Sequence, residues 1–260
     1  MPRRVNLIPM AGAGQRFINA GYQVPKPLID VGGRPMIVRA AQSLPEPDLW
    51  IFVCRAEHVA TVGIDRQLEE HFRPAVVITV DHLTEGQACT CLLAREALRD
   101  DDVLTIGACD SAMTWNREQY QLEMGRGAAD FLVWTFRHNP AVLQDPSMYG
   151  WVRVDREGAA TGVSVKQPIS ESPLNDHAVI GAFTFRRARL FLDACDDMIR
   201  ENARVRNEFY VDTAINFALK RGARGRPFEV DRYVCWGTPR DLEIYRYWRG
   251  IFLSDTNQPT

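Results

Sequence analysis

Apolar runs of strand length alternate with stretches of helical period along the first half of the chain. Residues 5–10, 49–54, 75–80, 103–106 and 131–136 have the length and composition of buried strands. Between them, 35–44, 55–72 and 85–98 read as helices, the last with Ala88, Cys91, Leu92 and Leu98 on one inward stripe. Such alternation requires right-handed crossovers and predicts a Rossmann-like, mostly parallel sheet sandwiched by helices. After Asn139 the rhythm shortens to strand-like pieces at 148–154, 162–166 and 178–185, separated by Pro146, Asp155-Arg156-Glu157-Gly158 and the segment 168–173. Helices at 187–202 and 209–220, a strand near 226–230 and a helix after Pro239 complete the reading. No linker, repeat or charge block divides the chain, so a smaller mixed α/β region is expected to pack on the first within one domain, 1–260.

Composition narrows the function classes. A chain of 260 residues buries roughly 70–75% of its unfolded surface. Its 46% hydrophobic and 25% charged residues are ordinary for a globular protein. With 31 basic and 33 acidic residues the net charge is -2, which provides no positive field for a nucleic-acid backbone. The six cysteines sit mostly in apolar stretches without a C-x-x-C pair, as reduced core residues do. Arg3 and Arg4 precede no apolar run long enough for a signal peptide, and no later run approaches a membrane span; a cytoplasmic protein is expected.

The candidate chemistry begins where the first strand runs into Met10-Ala11-Gly12-Ala13-Gly14-Gln15-Arg16, followed by Pro25-Lys26-Pro27. Glycines after a strand let backbone N–H groups approach phosphate oxygens, and Arg16 with Lys26 supplies cations for a polyphosphate. A G-x-G in this place is also the mark of a simple turn. Two familiar motifs are excluded: a dinucleotide fingerprint lacks its third glycine, where Phe17 stands, and a P-loop lacks Lys-Ser or Lys-Thr after the last glycine.

Gly12-Ala13-Gly14-Gln15-Arg16-Phe17, Pro25-Lys26-Pro27-Leu28-Ile29 and Gly33-Arg34-Pro35-Met36-Ile37 together resemble the N-terminal signature of the sugar-1-phosphate nucleotidylyltransferases. Further matches follow in family order: Glu85-Gly86-Gln87-Ala88, Cys109-Asp110, Tyr149-Gly150, Lys166-Gln167-Pro168, the run from Gly181 to Phe185, Glu208 with Asp212, and Gly237-Thr238-Pro239. The stretch from Lys166 to Gly181 looks closer to the capsule-type branch. The resemblance implies a GT-A-like fold, with 1–138 mainly nucleotide-binding and 139–260 mainly acceptor-binding. It implies a nucleoside triphosphate and a phosphorylated small-molecule acceptor as partners, pyrophosphate as leaving group and an activated cell-surface polysaccharide precursor as product.

By the same resemblance Arg16, Lys26 and Lys166 are the catalytic cations, Met10 to Gly14 with Gly86 and Gln87 bind the nucleotide, and Tyr149, Gly150, Gly181, Glu208 and Asp212 bind the acceptor. Four apart, Glu208 and Asp212 would share a helix face. Mg2+ is the implied cofactor, with Asp110 as ligand at a strand's carboxyl end. The family's second metal aspartate is replaced here by Cys235, a poor magnesium ligand, and Asp231 is the expected substitute. Two other readings remain open: a glycosyltransferase using a D-x-D element within Asp100-Asp101-Asp102, and a non-catalytic nucleotide-binding subunit. Apolar Tyr245, Tyr247, Trp248, Ile251 and Phe252 could support a homodimer.

Overall fold

The computed structural model describes residues 1–125 and 129–255. Its strands are β1 (Arg4–Met10), β2 (Leu49–Arg55), β3 (Ala75–Val80), β4 (Val103–Ile106), β5 (Ser111–Thr114), β6 (Phe131–Phe136), β7 (Gly150–Val154), β8 (Ala160–Val165), β9 (His177–Phe185), β10 (Gly225–Glu229) and β11 (Arg232–Cys235). The helices are α1 (Gln15–Asn19), α2 (Met36–Gln42), α3 (Ala56–Val62), α4 (Ile64–His71), α5 (Gln87–Leu92), α6 (Arg117–Gly125), α7 (Ala188–Arg200), α8 (Val211–Lys220) and α9 (Pro239–Asp255).

Nine strands form one mixed sheet in the order β3-β2-β1-β4-β9-β6-β10-β8-β7. The half made of β3, β2, β1 and β4 is parallel, as crossover helices require. The expected α/β sandwich is therefore present, and the smaller mixed region continues its sheet rather than forming a separate layer. Alternation along β1 shows why: Val5 and Leu7 join one buried cluster with Phe185, Phe191 and Ile215, while Ile8 and Met10 join another with Phe52, Ile37 and Leu68. Each face thus carries its own core.

Strand β9 serves both regions. Its C-terminal residues pair with β4, its N-terminal residues with β7, and β6 runs along its other edge. Between Val133 and Thr135 of β6, β9 advances from Phe183 to Val179, a bulge centred on Gly181 at φ 80. That distortion turns the backbone of Gly181 toward the groove at the carboxyl ends of the parallel strands.

Local breaks differ from expectation for identifiable reasons. The helix expected over 55–72 divides into α3 and α4 because Gly63 adopts the left-handed conformation, φ 60, that ends the first. The helix expected over 85–98 stops at Leu92 and resumes as a 3-10 turn at Arg95–Ala97. Among the described residues no helix is long and apolar enough to cross a membrane, and the six cysteines are free.

Candidate functional site

Four chain segments meet at the carboxyl edge of the parallel strands. After β1 the backbone turns at Gly14, φ 64, into the short α1, and Lys26 follows in a 3-10 turn started by Pro25. After β4 the chain passes Cys109 and Asp110 into β5, which pairs with β11 and sets Cys235 opposite Ser111. The amide of Trp236 donates to the Asp110 carbonyl at 2.8 Å, so this two-stranded ribbon carries the Gly237-Thr238-Pro239 corner to Asp110.

The corner is a capping box. The Thr238 amide donates to Asp241 Oδ2 at 3.0 Å, the Asp241 amide donates to Thr238 Oγ1 at 3.1 Å, and Pro239 opens α9. Sequence reasoning passed over Asp241. Its signal was present in the spelling Thr238-Pro239-Arg240-Asp241, a hydroxyl followed three residues later by an acid.

Across this corner Lys26 Nζ reaches Asp110 Oδ2 at 2.5 Å and the Gly237 carbonyl at 3.2 Å, and it lies 5.5 Å from the centre of the Phe17 ring. Burial opposes the ammonium charge, but the Asp110 carboxylate overcomes that cost and holds Lys26 above the ordinary lysine pKa. Burial has the reverse effect on the neighbouring thiols. Cys109 and Cys235 are each pushed up to about 12, so both are neutral at physiological pH.

Opposite stands Lys166, at φ 60 immediately after β8. Its backbone N–H donates to the Tyr149 carbonyl at 3.0 Å, and its Nζ donates to the Met148 carbonyl. A positive φ on a side chain of this size is uncommon and is fixed here by those two bonds.

A cavity of about 710 Å3 opens between these elements. Arg16, Lys26, Asp110 and Lys166 all line it, together with Gln87, Tyr149, Gly150, Gly181 and Asp212. The structure therefore brings together, from seven separate parts of the chain, most of the residues expected to act together. Asp145, Tyr210, Asp241, Tyr245 and Trp248, not anticipated as site residues, are also part of the wall. Gln87 opens α5 beside Gly86, and its half-buried amide faces the cavity with both donor and acceptor atoms.

Other expected residues lie elsewhere. Met10 and Ala11 are buried at the end of β1, while Gly12 and Ala13 are exposed on the loop beyond it. A Cβ on Gly12 would meet no atom within 4 Å, so that loop has open space beside its backbone. Glu208 is exposed and precedes α8, which begins at Val211 after an extended Tyr210; it does not share a helix face with Asp212. Asp231 is also exposed, at the far end of β11 from Cys235, with its amide bonded to the Thr114 carbonyl. Asp231 does not line the cavity although Tyr233, Val234 and Cys235 of β11 do, and Asp145 and Asp241 are the further acids on that wall. Asp102 is fully buried and holds Arg3 Nη2 at 2.6 Å at the amino end of β4, opposite the cavity, so the D-x-D spelling is a structural ion pair.

Comparison with known proteins places the chain in a family and a shared fold. The chain is 28% identical over 158 residues to a mannose-1-phosphate guanyltransferase of Candida albicans, a match covering 58% of this chain and 41% of that protein, so it spans about four-tenths of the relative's length. Among solved structures it is similar to a nucleoside-diphosphate-sugar pyrophosphorylase from Vibrio cholerae RC9, with a TM-score of 0.75 at 18% identity over 92% of this chain and 98% of the other. It is also similar to an inositol-1-phosphate CTP transferase from T. maritima, with a TM-score of 0.72 at 14% identity over 95% of each chain. At these identities the structures show a shared fold. The family model for nucleotidyl transferases matches residues 5–222, from the first residue buried in β1 through the end of α8, and by that span the chain belongs to the nucleotidyl transferase family.

Proposed function

We propose that this chain transfers a nucleoside monophosphate from a nucleoside triphosphate to a sugar 1-phosphate or similar phosphorylated acceptor. The observation that carries the proposal is the convergence of Arg16, Lys26, Asp110 and Lys166 on one cavity. An oxygen of the acceptor phosphate attacks the α-phosphorus, a new P–O bond forms, and the bond to pyrophosphate breaks. Such a displacement asks for alignment and charge stabilisation rather than a covalent intermediate. Arg16 and Lys26 face the triphosphate beyond the glycine loop, Gln87 reads a base edge, and Lys166 receives the acceptor phosphate between Tyr149, Gly181 and Asp212. On this reading residues 1–138 mainly bind nucleotide and 139–260 mainly bind acceptor.

The donor set suits magnesium and not a caged metal. Among the described residues no group of three or more His, Cys, Asp or Glu could hold an ion. Magnesium, however, takes one or two carboxylates and keeps several waters. Asp110, with 27% of its side chain exposed in the cavity wall, would hold it, with Asp241 on the same wall. Bound there, the ion would supply positive charge to phosphate oxygens. Asp231→Ala is expected to leave the divalent-ion dependence of turnover unchanged, whereas Asp110→Ala abolishes it; titration of turnover against magnesium checks both.

The relatives bear names of guanylyl and cytidylyl transferases, so GTP and CTP head the substrate panel, with UTP, dTTP and ATP beside them. Thermal shift with each triphosphate and magnesium selects the base, because selective binding stabilises the native chain. Pyrophosphate release with mannose, glucose and inositol 1-phosphates then reads the reaction. Pyrophosphate formed only when acceptor is present supports the proposal. Triphosphate binding without turnover across the panel would make the chain a non-catalytic subunit instead. The resemblance to the capsule-type branch supports a place in the supply of cell-surface precursors. The face of α9 that exposes Tyr247, Trp248 and Phe252 is where a homodimer contact would form.

A further inference from the structure

Gly150 opens β7 opposite Val165, the residue before Lys166. Its φ is not in the left-handed region, so backbone freedom does not explain a glycine here. Space does: a Cβ at Gly150 would stand 2.1 Å from Asp212 Oδ1. The Asp212 carboxylate therefore lies flush against the Gly150 backbone, in a notch that any side chain would fill. Asp212 is only 9% exposed and belongs to the first turn of α8, where the helix dipole favours a negative charge. Lys166 is fastened to the same corner through the carbonyls of Met148 and Tyr149.

The charges around Lys166 are mixed. Burial disfavours its ammonium most, Asp212 opposes that most strongly, Arg206 and Arg16 add to the repulsion, and Glu208 opposes it weakly. Asp145 also lies within electrostatic reach, and the Tyr210 ring centre is 5.7 Å from Nζ. Burial likewise raises Asp212, with Lys166 as the counterweight. Without Asp212, then, a half-buried ammonium would face two guanidinium groups and no adjacent buried anion.

We propose that Asp212 is a positioning residue: seated in the notch left by Gly150, its carboxylate balances the Lys166 ammonium so that Lys166 meets the acceptor phosphate as a charged, aimed donor. This rests on the reading of Lys166 as the acceptor-phosphate cation, and it makes Asp212 act through Lys166 rather than by touching the acceptor.

The sequence makes a direct test practicable, because it contains three lysines: Lys26, Lys166 and Lys220. Lysine 13Cε NMR of the full chain resolves each ammonium, with Lys166→Met to assign its signal. In Asp212→Asn the Lys166 titration is expected to move down by about one pH unit or more, while Lys220 stays in place. The alkaline limb of kcat/KM for the acceptor moves down with it, a loss of roughly tenfold above the shifted pKa, and KM for the triphosphate changes less than twofold. An unshifted Lys166 titration in Asp212→Asn overturns the proposal.

Should that variant not fold, Gly150→Ala with Asp212→Ala takes its place, since removing the colliding oxygen accommodates the new methyl group. In that pair the melting temperature lost in Gly150→Ala returns, but the Lys166 titration does not; a restored titration overturns the proposal equally. A chain that turns over no acceptor would remove the functional reading of Lys166, and the NMR titration would still decide whether Asp212 controls it.

Discussion

Asp110→Asn is expected to lower turnover by roughly 10²–10³-fold and to destabilise the chain by about 1–3 kcal/mol, and Lys26→Met in the same chain should recover the stability without the activity. The reason lies in what surrounds Lys26. Its side chain is 19% exposed, and the carboxylate 2.5 Å away is 27% exposed, so the pair is shielded from most of the solvent. The adjacent thiols of Cys109 and Cys235, held protonated up to about pH 12, contribute no counter-charge in the physiological range. Asp110 thus balances the ammonium, and an amide in its place leaves a buried cation uncompensated. Replacing the cation as well with an apolar chain of similar length removes the imbalance. Both groups that the proposed function assigns to phosphate chemistry are then gone, so turnover should stay lost.

The pH dependence has a definite sign. Because the folded pKa of Lys26 is raised, its contribution to stability is complete below the unfolded lysine value of about 10.4 and is lost only as pH rises through the folded value. In Asp110→Asn burial is no longer offset and the folded pKa of Lys26 falls below the unfolded value, so the stability gap to wild type should be full at low pH and narrow as pH rises through that lowered value. Urea unfolding of the four chains of this cycle at pH 7 and 9, with coupled pyrophosphate release, measures both effects. A double variant no more stable than Asp110→Asn would remove the charge-balance account.

Much of the sheet was legible because its strands are short apolar runs. The readings at 75–80, 103–106 and 131–136 coincide with β3, β4 and β6; side chains of β3 and β6 pack into cores on both faces, and Leu104 and Ile106 of β4 into one. Strands β5 and β11 were missed. Each has four residues, and the alternation of exposed and half-buried positions along Arg232-Tyr233-Val234-Cys235 is too short to establish a period. These are the elements that carry Gly237 to Asp110, and without them Asp241, just beyond that corner, was not among the candidate acids. Motif spelling identified Lys26 and Asp110, but their contact spans 84 residues of sequence and follows from tertiary pairing alone. The seat of Asp212 on Gly150 was equally hidden, since a glycine required for space and one required for φ have the same letter. The helix face expected to be shared by Glu208 and Asp212 is absent for a local reason: an extended Tyr210 delays the helix, and spacing by four has meaning only inside it.

Gly86→Ala should be among the most destabilising single substitutions in this chain, by about 3–5 kcal/mol, through combined backbone strain and overpacking. Gly86 has φ 128, outside the range of L side chains, and a Cβ there would stand 2.6 Å from both the amide nitrogen and the carbonyl oxygen of Phe209. Backbone cannot swing aside as a flexible side chain can. The approach is fixed from both ends, by the Phe209 amide on the Glu85 carbonyl at 2.8 Å and the Ala88 amide on the Phe209 carbonyl at 3.0 Å. Through those bonds the turn that presents Gln87 is moored to the segment that leads into Tyr210 and Asp212. Displacing Phe209 therefore disturbs both ends of the cavity, and kcat/KM for triphosphate and for acceptor should fall together. At about 2–4 °C per kcal/mol for a chain near this size, the melting temperature should drop by about 6–20 °C. Gly12→Ala is the contrasting variant. No atom lies within 4 Å of its added carbon, so thermal unfolding should stay within about 2 °C of wild type while KM for the triphosphate rises, the methyl group occupying space beside the phosphate loop. Thermal unfolding and steady-state kinetics of the two variants side by side separate the glycine that holds the site together from the one that leaves room for its ligand; a wild-type melting temperature in Gly86→Ala would overturn the close approach from which this follows.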